Sequence, residues 1–426
     1  MSRRGEQSAG YGAVFAGGEF RWLWLADVQS LLGDQLARVA LTVLVYEQTA
    51  SGLASAAVYA ATFVPALVGG VLLGPLADRL PRRALLVAGD AARAVLVALM
   101  AAPWMPLLAV VALLVVVVMI GGPWKAAESA LVADIVRGES YVVGVGLRTA
   151  TLQGAQLVGF AAGGAVVAAV GARASLAVDA ASFAVSAVVL RVALRPRPAA
   201  ATRHDTAAGG WLHGARTVLG DRGLRSLLQY SWLVGLLVVP EGLAAPYAAE
   251  VGGGVRTVGL LLASGPAGVL FGSLVFSRWV REDVRTKTLA PLAVAAGLPL
   301  VACVLRPGLT ASMALWFASG LCLAYQVQVV AEFVAEVPAQ IRGQGIAVAS
   351  SGLLAAQGVG LLLGGLVAQL TTARTAVAAA GGCAVVLALL LGRQRQAHRA
   401  RLDAREGGGS NAASTARALD LDIPPG

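Results

Sequence analysis

Asp27, Asp34 and Arg38 follow one another at intervals of seven and four residues inside an apolar stretch, 20–46. At 100° per residue those intervals place all three on one helical face. Asp34 to Arg38 is also the favourable i, i+4 order for an ion pair. An ionised side chain at the centre of a membrane helix costs about 2.5–3.5 kcal/mol on insertion scales, so each is a functional residue by default. Arg38 would neutralise Asp34 in one conformation and release it in another, making a proton or cation switch; a static structural pair is the alternative. Glu241 stands at a similar depth in a second apolar stretch, 226–248, between Pro240 and Gly242 and ahead of Pro246. Those helix breakers open backbone groups to a cavity. No basic residue lies within four positions of Glu241, so it suits a proton carrier or a counter-charge for a cationic substrate, or it pairs with Arg38. Asp90, Arg93 and Arg148 read as a charge network on the cytoplasmic side. Asp179 and Glu332 read as solvated ends of their spans.

The elements that must position these ions follow from composition. The 426 residues are 58% hydrophobic and 13% charged, with mean hydropathy +0.75, against about 25% charged in soluble domains. The apolar residues fall into runs of roughly 20, the length of a membrane crossing. Twelve spans are expected: 20–46, 53–73, 84–101, 106–124, 140–169, 173–193, 226–248, 257–277, 287–305, 311–333, 344–370 and 374–392. This excludes a soluble enzyme and a singly anchored domain. The chain divides into an N-terminal segment, 1–19; a six-helix bundle, 20–194; a linker, 195–225; a second six-helix bundle, 226–392; and a disordered tail, 393–426. The fold class is an all-α polytopic membrane protein in two pseudo-symmetric halves.

Charge placement sets the orientation. With the N-terminus inside, 26 of the 33 Lys and Arg fall on the cytoplasmic side and four outside, which is the positive-inside pattern. Both termini are therefore expected in the cytoplasm, in the cell membrane. The formal charge of +10 is a topological signal and excludes nucleic acid as the partner. Cys303, Cys322 and Cys383 lie within apolar runs, and His204, His213 and His398 in polar segments. Neither set has metal-ligand spacing, so neither metal nor cofactor is expected.

Two motifs carry more. Gln156, Gly159, Gly163 and Gly164 recur 201 residues later as Gln357, Gly360, Gly364 and Gly365, the mark of an internal parallel repeat. The loop after the second span reads Gly74-Pro75-Leu76-Ala77-Asp78-Arg79-Leu80-Pro81-Arg82-Arg83. It resembles the signature G-x-L-x-D-R-x-G-R-R of the major facilitator superfamily, with Pro81 in place of the last Gly. The resemblance implies a conformational latch: Gly74 for close helix approach, Asp78 toward a neighbouring helix N-terminus, and Arg79, Arg82 and Arg83 toward acids such as Glu128 and Asp134. It also implies that the latch favours the outward-facing state. Asp90 and Arg93, following the loop, resemble what bacterial macrolide efflux proteins and siderophore (enterobactin) exporters carry there. Gly146, Gly159, Gly163 and Gly164 resemble the superfamily's exporter motif, with Ala155 and Phe160 departing from it.

The expected function is a secondary active transporter that exports a small organic molecule, of drug, antibiotic or siderophore type, by alternating access with proton antiport. It is expected to work as a monomer in the bilayer and not as an enzyme. Import of a small nutrient on the same fold is the first alternative, and a non-transporting membrane enzyme or sensor the second.

Overall fold

A computed structural model describes residues 18–136, 139–197 and 207–419. Among these residues eleven helices are long and apolar enough to cross a membrane, and a bent pair, taken as one span, makes a twelfth. The spans are α1 Gly18–Thr49, α2 Gly52–Leu73, α3 Arg82–Ala101, α4 Leu107–Ile135, α5 Glu139–Val170 and α6 Ala172–Ala193. The second set is α7 Arg222–Gly242 with Ala244–Glu250, α8 Val255–Trp279, α9 Glu282–Val301, α10 Leu309–Glu336, α11 Arg342–Leu370 and α12 Ala373–Leu419. Sharp signals start several of them. Ser51 caps α2 by accepting from the Ala54 N–H, and Asp221 caps α7 by accepting from the Leu224 N–H, each satisfying an otherwise orphaned donor. Gly171, at φ +85°, turns the chain between α5 and α6, a conformation that costs glycine no steric clash.

The helices form two bundles with one plan. In the first, α1 packs on α5 and α6, α3 on α4 and α6, and α2 on α4. In the second, α7 packs on α11 and α12, α9 on α10 and α12, and α8 on α10. The halves meet through α2 against α11 and α5 against α8. Large apolar side chains turn outward, as at Leu72 (66% exposed), Leu108 (82%), Val192 (80%) and Leu370 (77%); facing lipid, they need no protein partner.

The structure differs from the sequence expectation in several places. α4 does not stop near 124 but continues to Ile135, carrying Pro123 and Lys125 within it. α7 starts at Arg222 rather than near 226, directly after a helix, Ala207–Gly220, within the linker. The segment expected to be a disordered tail continues α12 as helix to Leu419; its Arg, Gln, Ala and Leu residues are good helix formers. α7 bends by 49° after Gly242, as Pro240, Gly242 and Pro246 require.

Candidate functional site

Inside the first bundle lies a cavity of about 650 Å³, lined by α1, α2, α3, α4 and α6 and closed on one side by Ser350 and Leu354 of α11. Asp27, Asp34 and Arg38 all line it, as their shared helical face predicts, together with Arg93, Lys125 and Asp179. Most of its remaining wall is apolar, with Phe63, Val97, Met100, Leu114 and Leu176 among the lining residues, beside Ser30 and Thr62. Lys125 reaches this site only because α4 runs past the expected end of its span.

The expected Asp34–Arg38 ion pair is absent among the described residues. Arg38 instead holds its guanidinium 5.9 Å from the ring centre of Tyr59 and 5.7 Å from that of Phe63, a cation–π arrangement. The Tyr59 hydroxyl donates to Glu241 Oε2 at 2.6 Å, across the seam between the bundles. Arg38, Tyr59 and Glu241 therefore form one chain of contacts from α1 through α2 to the bend of α7. Glu241 also lines a second cavity of about 80 Å³ with Gln153, Gln156, Pro266, Trp316 and Ser319. Tyr59 thus stands between the two cavities, and sequence spacing gave no signal for it, since 182 residues separate it from Glu241.

The other buried ions sort into two groups where a single network with Arg148 was expected. Arg148 pairs with Glu128 and lies 3.6 Å from Asp27; Asp27 is 5% exposed and Glu128 1%. Separately, Arg93 pairs with Asp90, which also accepts from the Ser186 hydroxyl at 2.6 Å. The Arg93 guanidinium is sandwiched 4.9 Å from the Trp124 ring and 4.5 Å from the Phe183 ring. Asp90 and Arg93 thus brace the cavity wall, and among the described residues they form no hydrogen bond or ion pair with the 74–83 loop. Asp179 is a second correction. Expected to be solvated, it is 1% exposed. A Cβ added at Gly33 would fall 2.3 Å from Asp179 Oδ1, so α6 approaches α1 closely enough to cover it. Glu332, also expected to be solvated, pairs with Arg395 of α12.

The loop is half engaged. Arg82 pairs with Asp134 and donates to the Ala130 carbonyl at 3.1 Å, and Arg83 donates to the Arg191 carbonyl. Of the two acids expected, only Asp134 answers the loop, because Glu128 is taken by Arg148. Asp78 and Arg79 are exposed, and their side chains make no hydrogen bond or ion pair among the described residues; the Asp78 N–H only closes the local turn to the Pro75 carbonyl at 3.2 Å. Gly74 serves its own turn rather than a neighbouring helix: a Cβ there would lie 2.2 Å from the Gly70 carbonyl oxygen.

The repeated glycines do equivalent work in both halves. Cβ atoms at Gly159 and Gly163 would run into Gln35 and Val39 of α1, and those at Gly360 and Gly364 into Gly235 and Val239 of α7. Gly164 faces the backbone of Gly259 on α8, with 2.6 Å from a built Cβ to its Cα; Gly365 faces Ala56 and Leu53 on α2. Each cluster thus joins its own first helix and then the opposite bundle. The side-chain surroundings of Gly146 lie outside the described residues.

Two six-helix bundles of matching plan, joined at a polar seam beside an internal cavity, define a major facilitator fold. Solved structures agree. The nucleoside transporter NupG matches with a TM-score of 0.67 at 16% identity over 88% of this chain and 98% of that one. A POT family transporter in complex with 5-aminolevulinic acid matches at 0.71 and 11%, over 90% and 97%. A bacterial homologue of the human lysosomal transporter Spinster, in an inward-facing and unoccupied conformation, matches at 0.68 and 14%, over 88% and 97%. No match to a curated protein sequence was found. The family model described as transmembrane secretion effector matches residues 10–418. The chain belongs to that family and is a multi-pass membrane transporter of the major facilitator type.

Proposed function

We propose that the protein exports a small organic molecule from the cytoplasm by proton antiport, with Glu241 as the proton-carrying group and the larger cavity as the substrate chamber. The observation that carries this reading is the Arg38–Tyr59–Glu241 chain, which links the chamber to the seam that must open. Among the described residues, the hydrogen bonds between the bundles are Ser51 to Gln369, Ser55 to the Gly242 carbonyl, and Tyr59 to Glu241. All fall in the half of the molecule away from the 74–83 loop. With the basic loops placed in the cytoplasm, the seam is closed outside and the chamber faces inward. The unengaged Asp78 fits that state, since the latch is expected to act when the transporter faces outward.

In the inward-facing state an ionised Glu241 accepts from Tyr59 near the positive charge of Arg38, and substrate enters beside Asp34 and Asp27. Rocking of the bundles breaks the Tyr59 bond and exposes Glu241 to the outside, where it takes a proton as substrate leaves. The return stroke carries the proton inward. Export is supported by the α5 glycines at the seam and by the family description. Everted membrane vesicles test it: a panel of macrolides and catecholate siderophores should include compounds accumulated on imposing an interior-acid pH gradient. Accumulation in right-side-out vesicles instead, or full pH-driven flux in Glu241→Gln, overturns it.

A further inference from the structure

A third cavity, of about 280 Å³, opens at the loop end of the first bundle, remote from the transport chamber. Arg83, Arg191 and Arg197 line it with Pro81, Ala84, Val87 and Pro196. Arg197 is neutralised: it donates to both Glu19 oxygens, at 3.2 and 2.6 Å, and Glu19 also accepts from the Arg195 N–H at 2.7 Å. Arg83 spends one N–H on the Arg191 carbonyl, which ties α3 to α6. The Arg191 guanidinium has no hydrogen bond or ion pair among the described residues, and Glu19 is the only carboxylate among them that pairs with the three arginines. Two positive charges therefore stand uncompensated around one concavity. Beside it, the outer face of α6 shows Val188 (62% exposed) and Val192 (80%), three residues before and one after Arg191. An arginine fork above an apolar helix face matches an ester phosphate with hydrocarbon attached, because guanidinium groups bind phosphate in bidentate fashion.

We propose that this pocket binds the headgroup phosphate of an anionic phospholipid, with the acyl chains along Val188 and Val192. Bound there, the lipid bridges α3 and α6 beside Arg83, so it bears on the same loop that engages α4 through Arg82. A soluble phosphate shares the headgroup chemistry but makes no use of the apolar face. The test is native mass spectrometry of the full chain released from nanodiscs of mixed phosphatidylglycerol and phosphatidylcholine. Wild type should retain phosphatidylglycerol selectively. R83Q/R191Q should lower that retention about twenty-five-fold, at roughly a factor of five for each arginine near the surface. R191Q alone, which breaks no protein contact, should lower it about fivefold, so a folding defect in the double variant leaves the test intact. R278Q/R342Q removes equal charge outside the pocket and should retain wild-type binding. Undiminished retention in R191Q, equal loss in R278Q/R342Q, or displacement of the lipid by millimolar inorganic phosphate overturns the proposal.

Discussion

Around its cavity the first bundle buries Asp27, Asp90, Glu128 and Asp179, and answers the first three with Arg148 and Arg93. In the second bundle Glu241 stands at the seam, and its partner is a hydroxyl from the other half. The helix packing and the glycine positions are nonetheless the same in both. A duplicated backbone has thus been given unequal interiors. One half holds a charged chamber whose ions are mostly locked by their neighbours. The other offers a single group that changes partner only if the halves separate.

The contrast breaks most sharply at Glu241. Glu241→Gln keeps the shape and removes the ionisable group, and pH-driven flux in proteoliposomes should fall by about 100-fold or more. Glu332→Gln, in the same half, should leave flux near wild type. If Asp34→Asn and Glu241→Gln both retain full flux, the division of labour is wrong.

Arg148→Gln comes next and reads on stability. It removes the ion-pair partner of buried Asp27 and Glu128, and breaking such a group costs about 3 kcal/mol. Thermal unfolding in detergent should show a clear fall in Tm, partly restored by adding Glu128→Gln. Loss of flux without loss of stability would instead make this triad part of the transport step.

The glycine clusters test the symmetry itself. Gly164→Leu and Gly365→Leu each force a side chain into the opposite bundle at the same level of the seam. Both should hinder closure there to a similar degree, visible as weaker cross-linking between cysteines introduced at Ser51 and Gln369. A large effect from one and none from the other shows that the two seams are not equivalent.

The smallest effect is expected at Tyr59. Tyr59→Phe removes one hydrogen bond worth about 1 kcal/mol, so the seam opens more readily and flux changes by roughly fivefold. Together with Glu241→Ala it should add nothing further, since both remove the same contact.

Much of this contrast was legible in the sequence. Helical spacing placed Asp27, Asp34 and Arg38 on one face, and all three line the chamber. The flanking prolines announced the bend at Glu241, and the repeated Gln-Gly pattern announced the shared frame. What escaped was partner choice across the fold. Arg38 lies over two rings of α2 because a neighbouring helix offers π faces that linear spacing does not reveal. Asp179 looked accessible when counted from the end of its span, yet its cover comes from α1, where Gly33 permits the approach. Glu128 read as a partner for the loop, but α5 supplies Arg148 at closer range.

The bend in α7 bears on how the protein is made. A segment carrying a glutamate and two prolines is a poor guest for the bilayer when it leaves the ribosome alone. Its hydroxyl partner is synthesised 182 residues earlier, so the first bundle is already inserted when α7 emerges. The N-terminal half is then expected to act as an internal chaperone for the C-terminal one. The second half expressed by itself is expected to insert poorly and to recover when the first is supplied as a separate chain.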